Sequence, residues 1–272
     1  MAKVDSISVK NFFLAAWMAL GAAGCATSSN AWFPPDPEAG RQIARWVAAP
    51  TEEDPSAGFQ CWVYLPTHYA SQDETRVWPL LLFLHGSGEN GDNIDKVRGY
   101  GLPRILSEPD RVPKNWPFIT VSPQSPRMWF KPAQLVALLD ALGREYRVDA
   151  KRVYATGLSM GGIGAWELGA FAPGRLAAIA PICGAGRPGD AARLVNLPVW
   201  AFHGADDKNV RPSGPFSMGP VQGVGSVSMV EAIQHAGGKK AKITLYPDAG
   251  HNVWDRVYGD PALYKWLLSH SL

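Results

Sequence analysis

The chain has 272 residues, enough for one large domain with a substantial core. Its 46% hydrophobic and 18% charged content is that of a globular protein and excludes a disordered one. The 26 basic and 24 acidic residues leave a formal net charge of +2 with no basic block, so neither nucleic acid nor a polyanion is expected as a partner.

At the N-terminus, Lys3 and Lys10 precede an apolar run, Phe12 to Leu20, followed by small residues up to Cys25. This order is that of an export signal, and the run is too short for a comfortable membrane span. Ala22-Ala23-Gly24-Cys25 resembles a bacterial lipobox, which makes Cys25 a candidate lipidation site and a lipid anchor the one expected link to a membrane. Ala22 departs from that pattern, which favours leucine there. Simple secretory cleavage near Cys25 and an uncleaved anchor are the alternatives. The expected location is periplasmic, outer-membrane or cell-surface, or secreted. Residues 26–40 read as a polar tether, and 41–272 as the folded domain, with no internal repeat.

Within that domain the expected strands are Phe59–Leu65, Pro79–Leu84, Phe118–Val121, Arg152–Thr156, Ala177–Cys183, Val199–Phe202 and Lys242–Tyr246. Several are short, continuous apolar runs, as for strands buried on both faces of a parallel sheet. Helices are expected at Ala133–Tyr146, Ile163–Phe171, Val227–Ala236 and Pro261–Ser269. In the first of these, Leu135, Leu138, Leu139 and Leu142 share one face. The alternation predicts an α/β fold with a mostly parallel central sheet flanked by helices, and active groups beyond the carboxyl ends of the strands. Cys61 and Cys183 fall in apolar stretches and read as buried free thiols, although an exported chain would permit a bridge.

Gly157-Leu158-Ser159-Met160-Gly161 places a serine between glycines where a strand should turn into a helix. So sharp a turn lifts a serine Oγ clear of the sheet and makes Ser159 the candidate nucleophile. A serine hydroxyl needs a base to take its proton. His251 follows the last strand through Pro247-Asp248-Ala249-Gly250 and so lands at a strand's carboxyl end. His85 and His203 also follow strands, but each precedes a glycine and reads as shaping its turn. His68, His235 and His270 read as peripheral. For the acid, Asp206 and Asp207 both fit by position after the strand Val199–Phe202. Asp207 matches the spacing His-Gly-x-x-Asp-x-x-Val, with Asp206 as a turn residue. The oxyanion donors are expected to be the backbone N–H groups of Met160 and of Ser87, in the glycine-rich segment Leu84–Gly91. That segment also spells the dinucleotide fingerprint G-x-G-x-x-G, but Pro103 lies downstream and no helix is expected to open at Gly91.

With these motifs, together with Ser122-Pro123-Gln124, Pro181-Ile182-Cys183-Gly184 and Gly250–Trp254, the chain resembles the α/β-hydrolases over roughly residues 55–272. The resemblance is to secreted bacterial esterases often described as predicted peptidases, near the feruloyl esterases and polyhydroxybutyrate depolymerases. It implies a serine carboxylesterase with Ser159, Asp207 and His251 as its triad, acting on a small-molecule or polymer-borne ester, with no metal or cofactor. Aryl or acetyl esters of polysaccharides are among the substrates it implies. Trp129 and Trp254 are expected to border the substrate pocket or to serve packing alone. No counterpart of a large cap domain is visible. Residues 211–226, rich in glycine and proline, read either as a substrate-selecting flap or as a disordered insertion. A serine peptidase of the same fold and an inactive surface binding protein are the competing readings.

Overall fold

The computed structural model describes residues 38–70, 73 and 75–272. The export signal, Cys25 and most of the polar tether lie outside the described residues. Two antiparallel strands, β1 (Gln42–Ala48) and β2 (Gly58–Tyr64), come first. Then follow β3 (Trp78–Leu84), α1 (Gly101–Ser107), β4 (Ile119–Pro123), α2 (Pro132–Glu145) and β5 (Val148–Leu158). Next come α3 (Met160–Phe171), β6 (Ala178–Ile182), β7 (Ala185–Gly186) and β8 (Val199–Gly204). A hairpin of β9 (Pro215–Met218) and β10 (Val221–Gly225) leads into α4 (Ser226–His235). The chain ends with β11 (Ala241–Tyr246), α5 (Trp254–Tyr258) and α6 (Pro261–Leu268).

The main sheet has eight strands in the order β1-β2-β4-β3-β5-β6-β8-β11, and every neighbouring pair from β4 to β11 is parallel. Side chains alternate across a strand, and β3 shows why its sequence is apolar at every position after Pro79. Leu80, Leu82 and Leu84 pack into one core with α2, α3 and α4, while Leu81 and Phe83 pack into a second with α1, α5 and α6. The four leucines of α2 are all buried in the first core. Each contributes roughly 2 kcal/mol of transfer free energy.

Several elements depart from the sequence expectation. β1 is an edge strand with most side chains at least partly exposed, so it carries no continuous apolar run. α1 contains Pro103, but in its first turn, where proline has no intrahelical partner to lose. Residues 215–225 are ordered as β9 and β10, which join β7 in a three-stranded sheet. At the opposite edge, exposed Lys242 on β11 sets its ammonium 3.6 Å from the Trp200 ring centroid. A lysine on an edge strand discourages pairing with another chain. Cys61 and Cys183 are both buried and free. Three strands separate β2 from β6, four spacings of about 4.8 Å each, so the two cannot bridge.

Candidate active site

β5 ends at Leu158 and α3 begins at Met160, so Ser159 alone makes the turn. Its φ of 53° and ψ of −115° lie in a region that costs a side-chain-bearing residue of order 1–3 kcal/mol. The flanking glycines are required by close approach. A Cβ on Gly161 would stand 1.9 Å from the Leu84 carbonyl oxygen, and one on Gly157 2.4 Å from that of Gly161. The Ser159 N–H donates to the Ile182 carbonyl at 2.9 Å, which ties the turn to β6.

The loop after β11 brings His251 to this serine. His251 Nδ1–H donates to Asp207 Oδ2 at 2.6 Å, which leaves Nε2 to accept from the Ser159 hydroxyl at 2.9 Å. Trp254 stands edge-on to the imidazole, 5.5 Å between ring centres. Asp207 is buried, on the loop after β8, and its Oδ1 accepts the N–H groups of Asn209 and Val210 at 2.8 and 2.9 Å. Burial opposes its ionisation. Hydrogen bonds from His203, His251 and the Val210 N–H outweigh that and hold its carboxyl well below the usual carboxylate range. Asp206 faces solvent beside Lys208, 3.8 Å away, and does not reach the imidazole site. The structure therefore brings Ser159, His251 and Asp207 into one hydrogen-bonded chain.

Ser87 opens a 3-10 turn, Ser87–Glu89, beyond β3, and Met160 opens α3. A first residue of either kind has a backbone N–H without an intrahelical acceptor. Both residues line the cleft that holds Ser159. Two buried side chains fix the Ser87 loop. His85 Nδ1–H donates to the Gly86 carbonyl at 2.6 Å while Nε2 accepts the Ser125 N–H at 2.9 Å. Gln124 Nε2 donates to the carbonyls of Glu89 and Asn93, each at 2.8 Å. His85 thus shapes its turn as expected, whereas Gln124 was legible only as part of the motif Ser122-Pro123-Gln124.

Burial pushes the His85 pKa from 6.5 down to about 4, against a smaller raising effect of the Gly86 bond. The unfolded chain takes up this proton near pH 6.5 and the folded one only near pH 4. Stability present above pH 6.5 is therefore lost as pH falls through that window, on the order of 3 kcal/mol from this ring. Urea unfolding at a series of pH values is expected to show that loss, and His85→Gln to remove this share of it. An unchanged slope in the variant would contradict the assignment.

No family model matches the chain. A bifunctional acetylxylan esterase/xylanase of Neocallimastix patriciarum is 28% identical over 164 residues, which are 57% of this chain and 22% of that protein. The crystal structure of a thermostable esterase superposes with a TM-score of 0.69 at 25% identity, covering 85% of this chain and 63% of that one. The chain has the α/β-hydrolase fold. The feruloyl esterase module of Clostridium thermocellum shares this fold, with a TM-score of 0.58 at 16% identity over 83% of this chain and 87% of that one. Dipeptidyl peptidases share it as well. This chain thus spans less than two thirds of both the acetylxylan esterase/xylanase and the thermostable esterase.

Within this fold, Ser159 and His251 open into a cleft of about 770 Å³. Trp129 and Trp254 both line it, as do Tyr100, Met128, Phe216 and Met218. Trp129 is half-buried, with a φ of 76°, and its N–H donates to Met160 Sδ at 3.4 Å. Trp254 is 9% exposed and belongs to the core as much as to the cleft wall. Phe216 and Met218 come from the β9–β10 hairpin, whose Phe216 and Val221 pack with Ile163, Ala185 and Val210 beside Trp129. Tyr100, Met128 and Met218 are each about half exposed and stand on three separate segments around the mouth. Trp129 and Trp254 were singled out from sequence, whereas Tyr100 and Met128 were not, and Phe216 and Met218 lie in the 211–226 segment read there as a flap or an insertion. Their shared cleft is a product of topology, since Tyr100 precedes α1, Met128 follows β4 and Met218 ends β9.

Proposed function

We propose that the protein is a serine carboxylic-ester hydrolase. The observation that carries this reading is the hydrogen-bonded chain Ser159–His251–Asp207 on a strained strand-to-helix turn at the cleft. Ser159 Oγ attacks the ester carbonyl carbon as its proton passes to His251 Nε2. The C=O electron pair moves onto oxygen, where the N–H groups of Met160 and Ser87 receive the charge. Asp207 stabilises the imidazolium that forms. Collapse of the tetrahedral species breaks the bond to the alcohol oxygen, which takes the proton from His251. Water then attacks the acyl-serine, His251 accepts its proton, and a second collapse returns that proton to Ser159 and frees the acid.

For the substrate, we infer an ester whose acyl or alcohol part is bulky and apolar, such as an aryl ester, with acetyl esters of polysaccharides as the smaller alternative. The methionine and aromatic rim supports the first, and the acetylxylan esterase/xylanase relative supports the second. We infer from the export signal read over residues 1–25 that this work is done outside the cytoplasm. Hydrolysis of p-nitrophenyl esters of graded chain length and of methyl ferulate tests both parts. Turnover is expected on the panel. Labelling of Ser159 by a fluorophosphonate without turnover of any ester would favour a peptidase, and neither labelling nor turnover would favour a binding protein. Met218→Ala is expected to raise KM about 5- to 10-fold for the bulky esters while leaving the acetate nearly unchanged. A uniform effect across the panel would remove the hairpin from substrate selection.

A further inference from the structure

Beneath Asp207 lies a second histidine that the proposed mechanism does not use. His203, at the end of β8, has a fully buried side chain, and its Nε2 stands 2.8 Å from the Val210 carbonyl and 3.2 Å from Asp207 Oδ2. A carbonyl and an ionised carboxylate oxygen both only accept, so the hydrogen of this ring sits on Nε2 and is shared between them. Its Nδ1 is buried with no hydrogen-bond partner among the described residues. The titratable neighbours are few. Cys183, just past β6, brings its Sγ within 4.8 Å of the polar atoms of His203 and Asp207. Burial pushes that thiol up to about 12, so it stays neutral. His251 stands across Asp207, and Asp206 and Lys208 face each other at the surface.

Four N–H groups thus face Asp207: those of Asn209 and Val210 at Oδ1, that of His251 at Oδ2, and, at a longer 3.2 Å, that of His203 at Oδ2. That number fills the lone-pair sites of a carboxylate and leaves it no low-energy rotation. We propose that His203 is a positioning residue for the acid, whose Nε2–H both fixes Asp207 and draws part of its charge away from His251. The inference rests on the triad reading above. Its consequence has a definite sign. Without the His203 donor, more of the carboxylate charge falls on His251, the imidazolium is favoured, and the free base is reached only at higher pH.

Two variants of similar polarity separate this role from packing. His203→Gln can place an amide N–H near the Nε2 position, while His203→Asn places its amide near Nδ1, short of Asp207. On p-nitrophenyl acetate, the acid limb of kcat/KM is expected to move up by roughly half to one pH unit in His203→Asn and to stay in place in His203→Gln. The downfield Nδ1 proton resonance of His251 should shift in the Asn variant alone. A limb that moves in neither folded variant, or equally in both, would overturn the proposal. If the variants do not fold, nitrogen-15 spectra of the wild-type rings decide. His203 must remain the Nε2–H tautomer across the acid limb, and an Nδ1–H or protonated ring would overturn the assignment. Failure of the triad reading looks different, as no ester turnover and no labelling of Ser159 in the wild type. The ring spectra report on the His203–Asp207 bond in that case too.

Discussion

Ser159→Ala is expected to lower kcat for p-nitrophenyl ester hydrolysis by about 10⁴- to 10⁶-fold and to abolish fluorophosphonate labelling. The size follows from the geometry, because His251 Nε2 has Ser159 Oγ at 2.9 Å as the hydroxyl it would deprotonate. The folded state should barely change. An alanine still occupies the strained φ of 53°, and the Ser159 N–H bond to Ile182 is a backbone bond that survives. A stability change below about 1 kcal/mol is therefore expected. Stopped assays with intact thermal melts would check both halves, and activity within tenfold of wild type would leave Ser159 without the role assigned to it.

Gly161→Ala should damage the fold and the site together. Its new Cβ would meet the Leu84 carbonyl oxygen at 1.9 Å and stand 2.4 Å from the carbonyl carbon, atoms of a central strand that cannot yield like a flexible side chain. α3 must move away from β3, and Ser159 at its entrance moves with it. Overpacking of this kind costs about 1–3 kcal/mol or more, which corresponds to a fall in Tm of roughly 4–10 °C in a chain of this size. Turnover should fall to about one per cent or less, because a displacement near 1 Å at the reacting atoms costs on the order of 10²-fold. Gly174→Ala is the control. Its Cβ would meet nothing within 4 Å, and both Tm and turnover should stay near wild type.

The same close contacts explain what could be read in the sequence. Gly157 and Gly161 flank a serine because backbone passes within van der Waals distance of them, and a pentapeptide records that constraint in full. The parallel strands were legible for a similar reason: β3 is buried on both faces and so is apolar throughout after Pro79. β1, exposed along much of one face, carries no comparable run, and α1 is masked by a proline that its first turn tolerates. Within the site, the spacing His203-Gly204-Ala205-Asp206-Asp207 pointed to Asp207 over Asp206, and burial of one beside exposure of the other gives the physical basis. The contact of His203 with Asp207 was not legible. His203 read as a turn residue, because its contact with Oδ2 depends on how the loop folds back from β8. The cleft rim was only partly legible: Met218 lies in the 211–226 segment read as a flap, whereas Tyr100 and Met128 come from segments that only the sheet order brings to the cleft.

The central claim is that Ser159 carries the acyl group of an ester during turnover. Rapid acid quenching of the enzyme with p-nitrophenyl butyrate, followed by intact-mass and peptide analysis, tests it directly. The expected result is a mass increase of one butyryl group, located on the peptide that contains Ser159 and missing from Ser159→Ala. Steady release of p-nitrophenol with no acyl group on Ser159, or with the acyl group on another residue, would contradict the account.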